Sequence, residues 1–187
     1  LKNSQIYWRY DLRAVSSFVT ADNINTLMSK SGFEDIGLLH IDLDGNDYWI
    51  LNELDLTKLN PDILILEYNA HFGCDRAITV PYDASFYRMT AHYSGHYFGA
   101  SLPALNKLAV EKGYYFIGCN SAGNNAYFLR SEYKETIPET SLYEGFVDLR
   151  FRDTRDKNGQ LAFSSRDQAR KIIEGLAVIK VSVQRST

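Results

Sequence analysis

Two stretches of the chain are apolar almost without interruption, IGLLHIDLD at 36–44 and DILILEYN at 62–69. Runs of this kind read as strands covered on both faces in a parallel sheet. Between them, NDYWILNELDL places Tyr48 and Leu51 three apart and Ile50 and Leu54 four apart, which stacks them on one face of a helix. Asp44 and Gly45 end the first run, and Pro61 precedes the second. A strand, helix, strand unit predicts a right-handed parallel crossover, which brings the carboxyl ends of both strands to one sheet edge. Asp42, Asp44, Glu67 and Asn69 then become neighbours in space.

The pattern continues on both sides. Upstream, RAVSSFVTADNINTLMSKSG predicts a short strand around Ala14 to Val19, then a helix capped by Thr20 or Asp22 with Ile24, Leu27 and Met28 as its stripe. Residues 70 to 100 hold many aromatics and glycines and no sustained period, and connections this long are commonly functional. Ser101 as N-cap, Pro103 in the first turn and Gly113 past the end frame a helix; YYFIGCN and AYFLR then form a hairpin across SAGNN. Beyond Ile137 to Glu139, FVDLRFRDTRDKNGQL turns at Asn158 and Gly159, SRDQARKIIEG is a helix with a Ser165 to Gln168 capping box, and LAVIKVSVQ reads as a last strand. One domain over 1–187 is expected, an α/β core at 14–136 with a helix and strand extension at 137–187.

Composition narrows the partners. At 187 residues, 45% hydrophobic, 23% charged and with a net charge of −3, the chain offers no basic field for nucleic acid. Cys74 and Cys119 form no C-x-x-C pair, no apolar run approaches the roughly 20 residues a membrane span requires, and LKNSQIYWRYD lacks the apolar core of a signal peptide. A cytoplasmic protein without a membrane partner is expected. The start at Leu1 rather than Met fits a processed end or a truncated reading frame.

HIDLDGND admits several chemistries. A nucleotide-sugar transferase would use the D-x-D pair to hold a divalent metal, but it needs a nucleotide-binding half upstream, and only 41 residues precede Asp42. A D-x-D-G phosphatase would use Asp42 as nucleophile and Asp44 as acid, yet no later Asp-Asp pair offers magnesium ligands. The plain alternative is a helix N-terminus, with Asp44 or Asn46 as cap and Asp47 against the helix dipole.

A further pattern covers more of the chain. HIDLDGND, a helix, then ILILEYN, preceded by VTADNIN and followed by GYYFIGCN and AYFLR, resembles the C-terminal half of FkbM-like methyltransferases over residues 19 to 130. The strings TVPYD, YFGASL, KGY and GCNSAGNNAYFLR resemble a bacterial subgroup in or near that family. The resemblance implies a Rossmann-like three-layer sandwich, here a partial class I methyltransferase sheet closed by an antiparallel hairpin. It implies an S-adenosylmethionine-dependent O-methyltransferase acting on a carbohydrate or polyketide hydroxyl. The glycine-rich turn that holds this cofactor is missing, since the first glycine is Gly32. The expectation is therefore an acceptor-side part, inactive alone, of a parent that binds the cofactor; the rival is a non-catalytic module binding glycans or protein.

Methyl transfer to oxygen needs a group that takes the hydroxyl proton. By the resemblance, Asp42, Asp44 and Glu67 occupy the acidic positions, and with Asn69 they could imitate an oxygen-rich divalent metal site. Asn46, Asn69, His71, Tyr82 and Tyr97 are candidates for binding a small-molecule or glycan acceptor, with Phe86, Tyr87, Tyr93 and Phe98 as further aromatics. His92 and His96 read as loop residues, His40 as a packed strand residue, and Asn120, Ser121, Asn124 and Asn125 as turn formers. The mixed cluster Arg150, Arg152, Asp153, Arg155 and Asp156 reads as a solvated face or subunit contact. Without a strand beside it, HIDLD would carry an open edge, so cover by residues 15 to 19, by LAVIKVSVQ or by a second copy in a dimer is expected.

Overall fold

The structure is a computed structural model that describes residues 9–150 and 153–182. Arg152 of the mixed cluster, and Val183 and Gln184 of the expected last strand, lie outside the described residues. The described chain runs through α1 (Ile24–Ser31), β1 (Leu38–Ile41), α2 (Asp47–Glu53), β2 (Ile63–Glu67) and a 3-10 turn at Ala70–Phe72. The long connection holds β3 (Ile78–Thr79) and α3 (Arg88–Ala91), and α4 (Leu102–Glu111), β4 (Tyr114–Cys119) and β5 (Asn125–Arg130) follow. The extension contributes α5 (Leu142–Gly145), β6 (Asp153–Arg155), β7 (Leu161–Phe163), α6 (Arg166–Ile173) and β8 (Ile179–Lys180).

The main sheet has the order β1-β2-β5-β4. β1 and β2 are parallel with Ile41 beside Leu66, so Asp42 and Glu67 leave the sheet side by side, as the crossover requires. β5 lies antiparallel between β2 and β4, so β4 runs in the same direction as β1 and β2. A small pair, β3 with β8, and a hairpin, β6 with β7, stand apart from this sheet.

Helices cover one face. Ile41, Leu64, Leu66, Ala126 and Phe128 share a core with Ile24 of α1, Ile50 and Leu51 of α2, and Leu105 and Leu108 of α4. On the opposite face Leu38 and His40 are exposed, while Ile63, Ile65 and Tyr127 are half-buried. The architecture of the described residues is thus mixed α/β, with helices packed on a mixed four-stranded sheet. Burial in β1 consequently alternates, although LLHI is apolar enough for a strand enclosed on both sides.

Some expectations are corrected. Residues 14 to 19 form no strand; Val15 and Phe18 are 79% and 64% exposed. Neither Thr20 nor Asp22 caps α1: Asn23 precedes it, accepting the Thr20 N–H at 2.9 Å and donating to the Phe18 carbonyl at 2.9 Å. Within LAVIKVSVQ, the pair Ile179 and Lys180 joins β3, so neither terminal segment pairs with the outer side of β1 among the described residues.

Three tyrosines rooted in the packed body reach the extension through their hydroxyls. Tyr68 donates to the Val147 carbonyl, Tyr115 to that of Ile137 at 2.7 Å, and Tyr97 to that of Ala177. Burial raises the pKa of all three phenols above the ordinary value, which keeps them protonated donors.

Candidate active site at the carboxyl edge of the sheet

The turn after β1 is shaped by two residues. Asp44 has a φ of +53°, a left-handed conformation in which a short polar side chain is tolerated. Asp47, wholly buried, clasps the turn from the first position of α2: its carboxylate accepts the N–H of Leu43 at 2.8 Å and of Gly45 at 3.1 Å. Burial outweighs those bonds and, with Asp42 adding repulsion, pushes its pKa up to about 6. Asp47 is therefore a structural clamp as well as an N-terminal acid of the helix. Asn46, only 5% exposed, gives its amide to the Asp83 carbonyl at 2.9 Å and leaves Oδ1 without a partner.

Glu67 ends β2 at 7% exposure, opposite Asn125 in the register, with Oε2 unpartnered. Desolvation first, then the charges of Asp47, Asp42 and Asp44, push its pKa up to about 8, against a smaller opposing pull from Arg88. At neutral pH this carboxyl is mostly protonated. Asp42 and Asp44 themselves are exposed. His40, read as a packed residue, is exposed on the same side of the strand as Asp42, as a two-residue spacing dictates. Its Nε2 lies 3.7 Å from Asp42 Oδ2 and 3.3 Å from Asn125 Oδ1.

Sequence reasoning passed over Arg88. It projects from α3 across the strand ends, pairs with Asp44, donates through Nε and a terminal nitrogen to the Gly95 carbonyl at 3.1 and 2.8 Å, and stacks 4.0 Å over the Phe98 ring. A signal was available: an edge bearing Asp42, Asp44, Asp47 and Glu67 calls for a counter-charge, and the connection 70–100 holds just two basic residues, Arg76 and Arg88.

The remaining candidates divide. Asn69, 1% exposed, donates to the carbonyls of His96 at 2.8 Å and Phe98 at 2.9 Å and accepts the His71 N–H at 3.0 Å, which fixes the loop beside Glu67. His71 packs edge-on against His96 with ring centroids 4.6 Å apart, and each leaves a buried Nε2 unpartnered. Burial lowers their pKa values to about 3 and about 4, so both are neutral. Tyr97 belongs to a second core with Phe72, Ile78, Val80 and Ile173. Tyr82 stands further out, against Trp49, its hydroxyl accepting the Ala21 N–H at 3.0 Å.

Asn120 folds the hairpin turn by accepting the N–H groups of Gly123, Asn124 and Asn125, the turn role its sequence context predicts. Among the described residues no three His, Cys, Asp or Glu side chains come together to hold a metal ion. No described helix is long and apolar enough to cross a membrane. Searches of family models, curated proteins and solved structures find no match to this chain.

Proposed function

We propose that the chain is the acceptor-side part of an S-adenosylmethionine-dependent O-methyltransferase, with Glu67 as the group that takes the acceptor's proton. The observation that carries this reading is the sheet order: a parallel crossover, then a closing hairpin whose last strand inserts antiparallel beside β2. The same arrangement is what the FkbM-like resemblance implies for the second half of a class I methyltransferase sheet. Glu67 stands at the carboxyl edge of that crossover, where open α/β sheets bind ligands.

The described residues do not fit the cofactor by themselves. Ahead of β1 they form α1 and no strand, and hence no glycine-rich strand-to-helix turn on which an adenosyl group could sit. The chain's own part is confined to acceptor chemistry. Glu67, ionised, accepts the proton of a hydroxyl placed at the strand ends; Asp42 and Asp44 supply acceptors for neighbouring hydroxyls of a polyol or sugar. With Asn69 committed to the loop backbone and no metal-holding group among the described residues, the reading uses no metal.

The test begins with the reading frame upstream of Leu1. An in-frame strand, glycine-rich turn and helix supports the proposal, and the polypeptide carrying it should transfer labelled methyl groups to hydroxyl acceptors. A start codon at this point overturns it, as does sub-millimolar calorimetric binding of S-adenosylmethionine by the 187-residue chain. In the extended polypeptide, Glu67→Gln should lower kcat about a hundredfold or more, the ordinary contribution of a general base. Because the ionised form acts, the wild-type rate should rise with pH, reach half its maximum near the pKa of about 8 of the closed site and level off above it.

A further inference from the structure

The acid to which this reading assigns the proton is sealed from solvent at Oε2, and the cover can be traced. The connection between Tyr82 and Gly99 touches both strand-end turns, at Asp44 to Asn46 after β1 and at Asn69 next to Glu67 after β2. Its far end is fastened by buried bonds, Asn69 to the carbonyls of His96 and Phe98, and the Thr79 hydroxyl to the Gly99 carbonyl at 3.2 Å. Its near end buries less. α3 contributes no buried residue, and Tyr82 through Ser85 are exposed. What holds this part down is the Asn46 amide on the Asp83 carbonyl, the Phe86 ring against Gly45 and the second core, Arg88 on Asp44 and, at the two ends, the Tyr82 hydroxyl on the Ala21 N–H and the Thr154 hydroxyl on the Ser94 carbonyl at 2.7 Å. Gly95, with a φ of +69°, lies between the two parts and offers a backbone hinge that L side chains rarely permit.

We propose that residues 82–94 form a lid over the Glu67 carboxyl, latched by the Arg88–Asp44 ion pair, which lifts before any ligand reaches that acid. Asp44 then acts on entry and not on the proton. Its pair with Arg88 is partly solvated, with 29% and 60% of the two side chains exposed, which suits a contact that opens and closes thermally. Gly45 is part of the same device. A Cβ at this position would overlap the Phe86 ring, so the glycine lets the lid ring settle onto the β1 turn.

The inference rests on the reading of Glu67 as proton acceptor, but its test needs no acceptor and no turnover, so the two fail separately. Amide hydrogen exchange is measured on the whole 187-residue chain as wild type, Arg88→Ala, Asp44→Asn and Gly45→Ala. Exchange across 83–94 should accelerate about tenfold in each variant, while β2 and α4 keep wild-type protection, which also certifies that the variant is folded. The wild type at about 1 M salt, where screening acts over about 3 Å, should show the same local acceleration and needs no substitution.

The titration of Glu67 in Arg88→Ala, followed by carboxyl carbon NMR, supplies a readout with a sign. Under a lid that stays shut, the loss of a nearby cation raises the Glu67 pKa; under a lid that opens, returning water lowers it towards the ordinary 4.5. A fall, together with faster exchange, establishes the latch. Unchanged exchange across 83–94 in folded variants and in high salt, or a rise in the Glu67 pKa, overturns it.

Discussion

Holding Glu67 protonated up to a pKa of about 8 couples folding to proton binding in one direction. Below its unfolded value of 4.5 both states carry the proton; between 4.5 and about 8 only the folded state does, so stability falls as pH rises through that window. Glu67→Gln removes the dependence. Its melting temperature should match wild type near pH 4 and exceed it at pH 8, by an amount worth ~4–5 kcal/mol for a shift of this size. His71 and His96 act in the opposite sense. Their lowered pKa values give stability that is complete above the unfolded value of 6.5 and is lost as pH falls towards about 4 and about 3. A thermal melt series across pH checks both limbs. Glu67 was legible in the sequence because a carboxylate closing a buried run demands an explanation. Arg88 was not, since it sits in a connection without periodicity and its role comes only from what the loop crosses. Asp47 was half legible: its helix position could be read, its clasp on the preceding turn could not.

Among elements, the best-read ones carry their own punctuation. Ser101 caps α4 as its position promises, and Ser165 with Gln168 forms the expected capping box on α6. Ser101 also joins two elements, for its hydroxyl donates to the Arg76 carbonyl at 2.7 Å and accepts the Ile78 N–H at 3.0 Å beside β3. Ser101→Ala should therefore cost about 2–3 kcal/mol in urea denaturation, above the roughly 1 kcal/mol of an ordinary lost cap. Elements that depend on a distant partner were read poorly. Residues 14 to 19 have strand-like composition but pair with no strand among the described residues, and only Val19 reaches the core, partly buried. The apolar content of β1 likewise says how much could be buried, and not how many faces are covered.

For the whole molecule, the open question posed by the sequence was what lies beside β1. The described chain leaves that side unpaired, with Leu38 at 49% exposure on the uncovered face. Of the covers the sequence suggested, a second copy is the one to test with this chain alone. Pairing of β1 with its symmetry mate gives a two-fold dimer and satisfies the free backbone groups. Light scattering should report twice the 21.3 kDa chain mass, and Leu38→Lys, which charges the flank of the edge, should return it to the monomer. A wild-type monomer at high concentration would contradict this.

The hydroxyls of Tyr68, Tyr97 and Tyr115 bear on how the molecule comes apart. Each is the tip of a ring anchored in the body, and each ends on a main-chain oxygen of the extension, at Val147, Ala177 and Ile137. Peeling the extension from the rest breaks these three single-atom tethers together with the β3–β8 pair and the packing of Ile173, Leu142 and Phe146, while the four-stranded sheet stays closed. Such a molecule opens in stages, with its tail as a separate cooperative unit of lower stability. Replacing all three tyrosines with phenylalanine removes the tethers and little volume. Dilute protease should then cut the variant beyond residue 137 well before wild type, leave a resistant piece that contains the four-stranded sheet, and shift the melt of that sheet far less than it hastens the first cut.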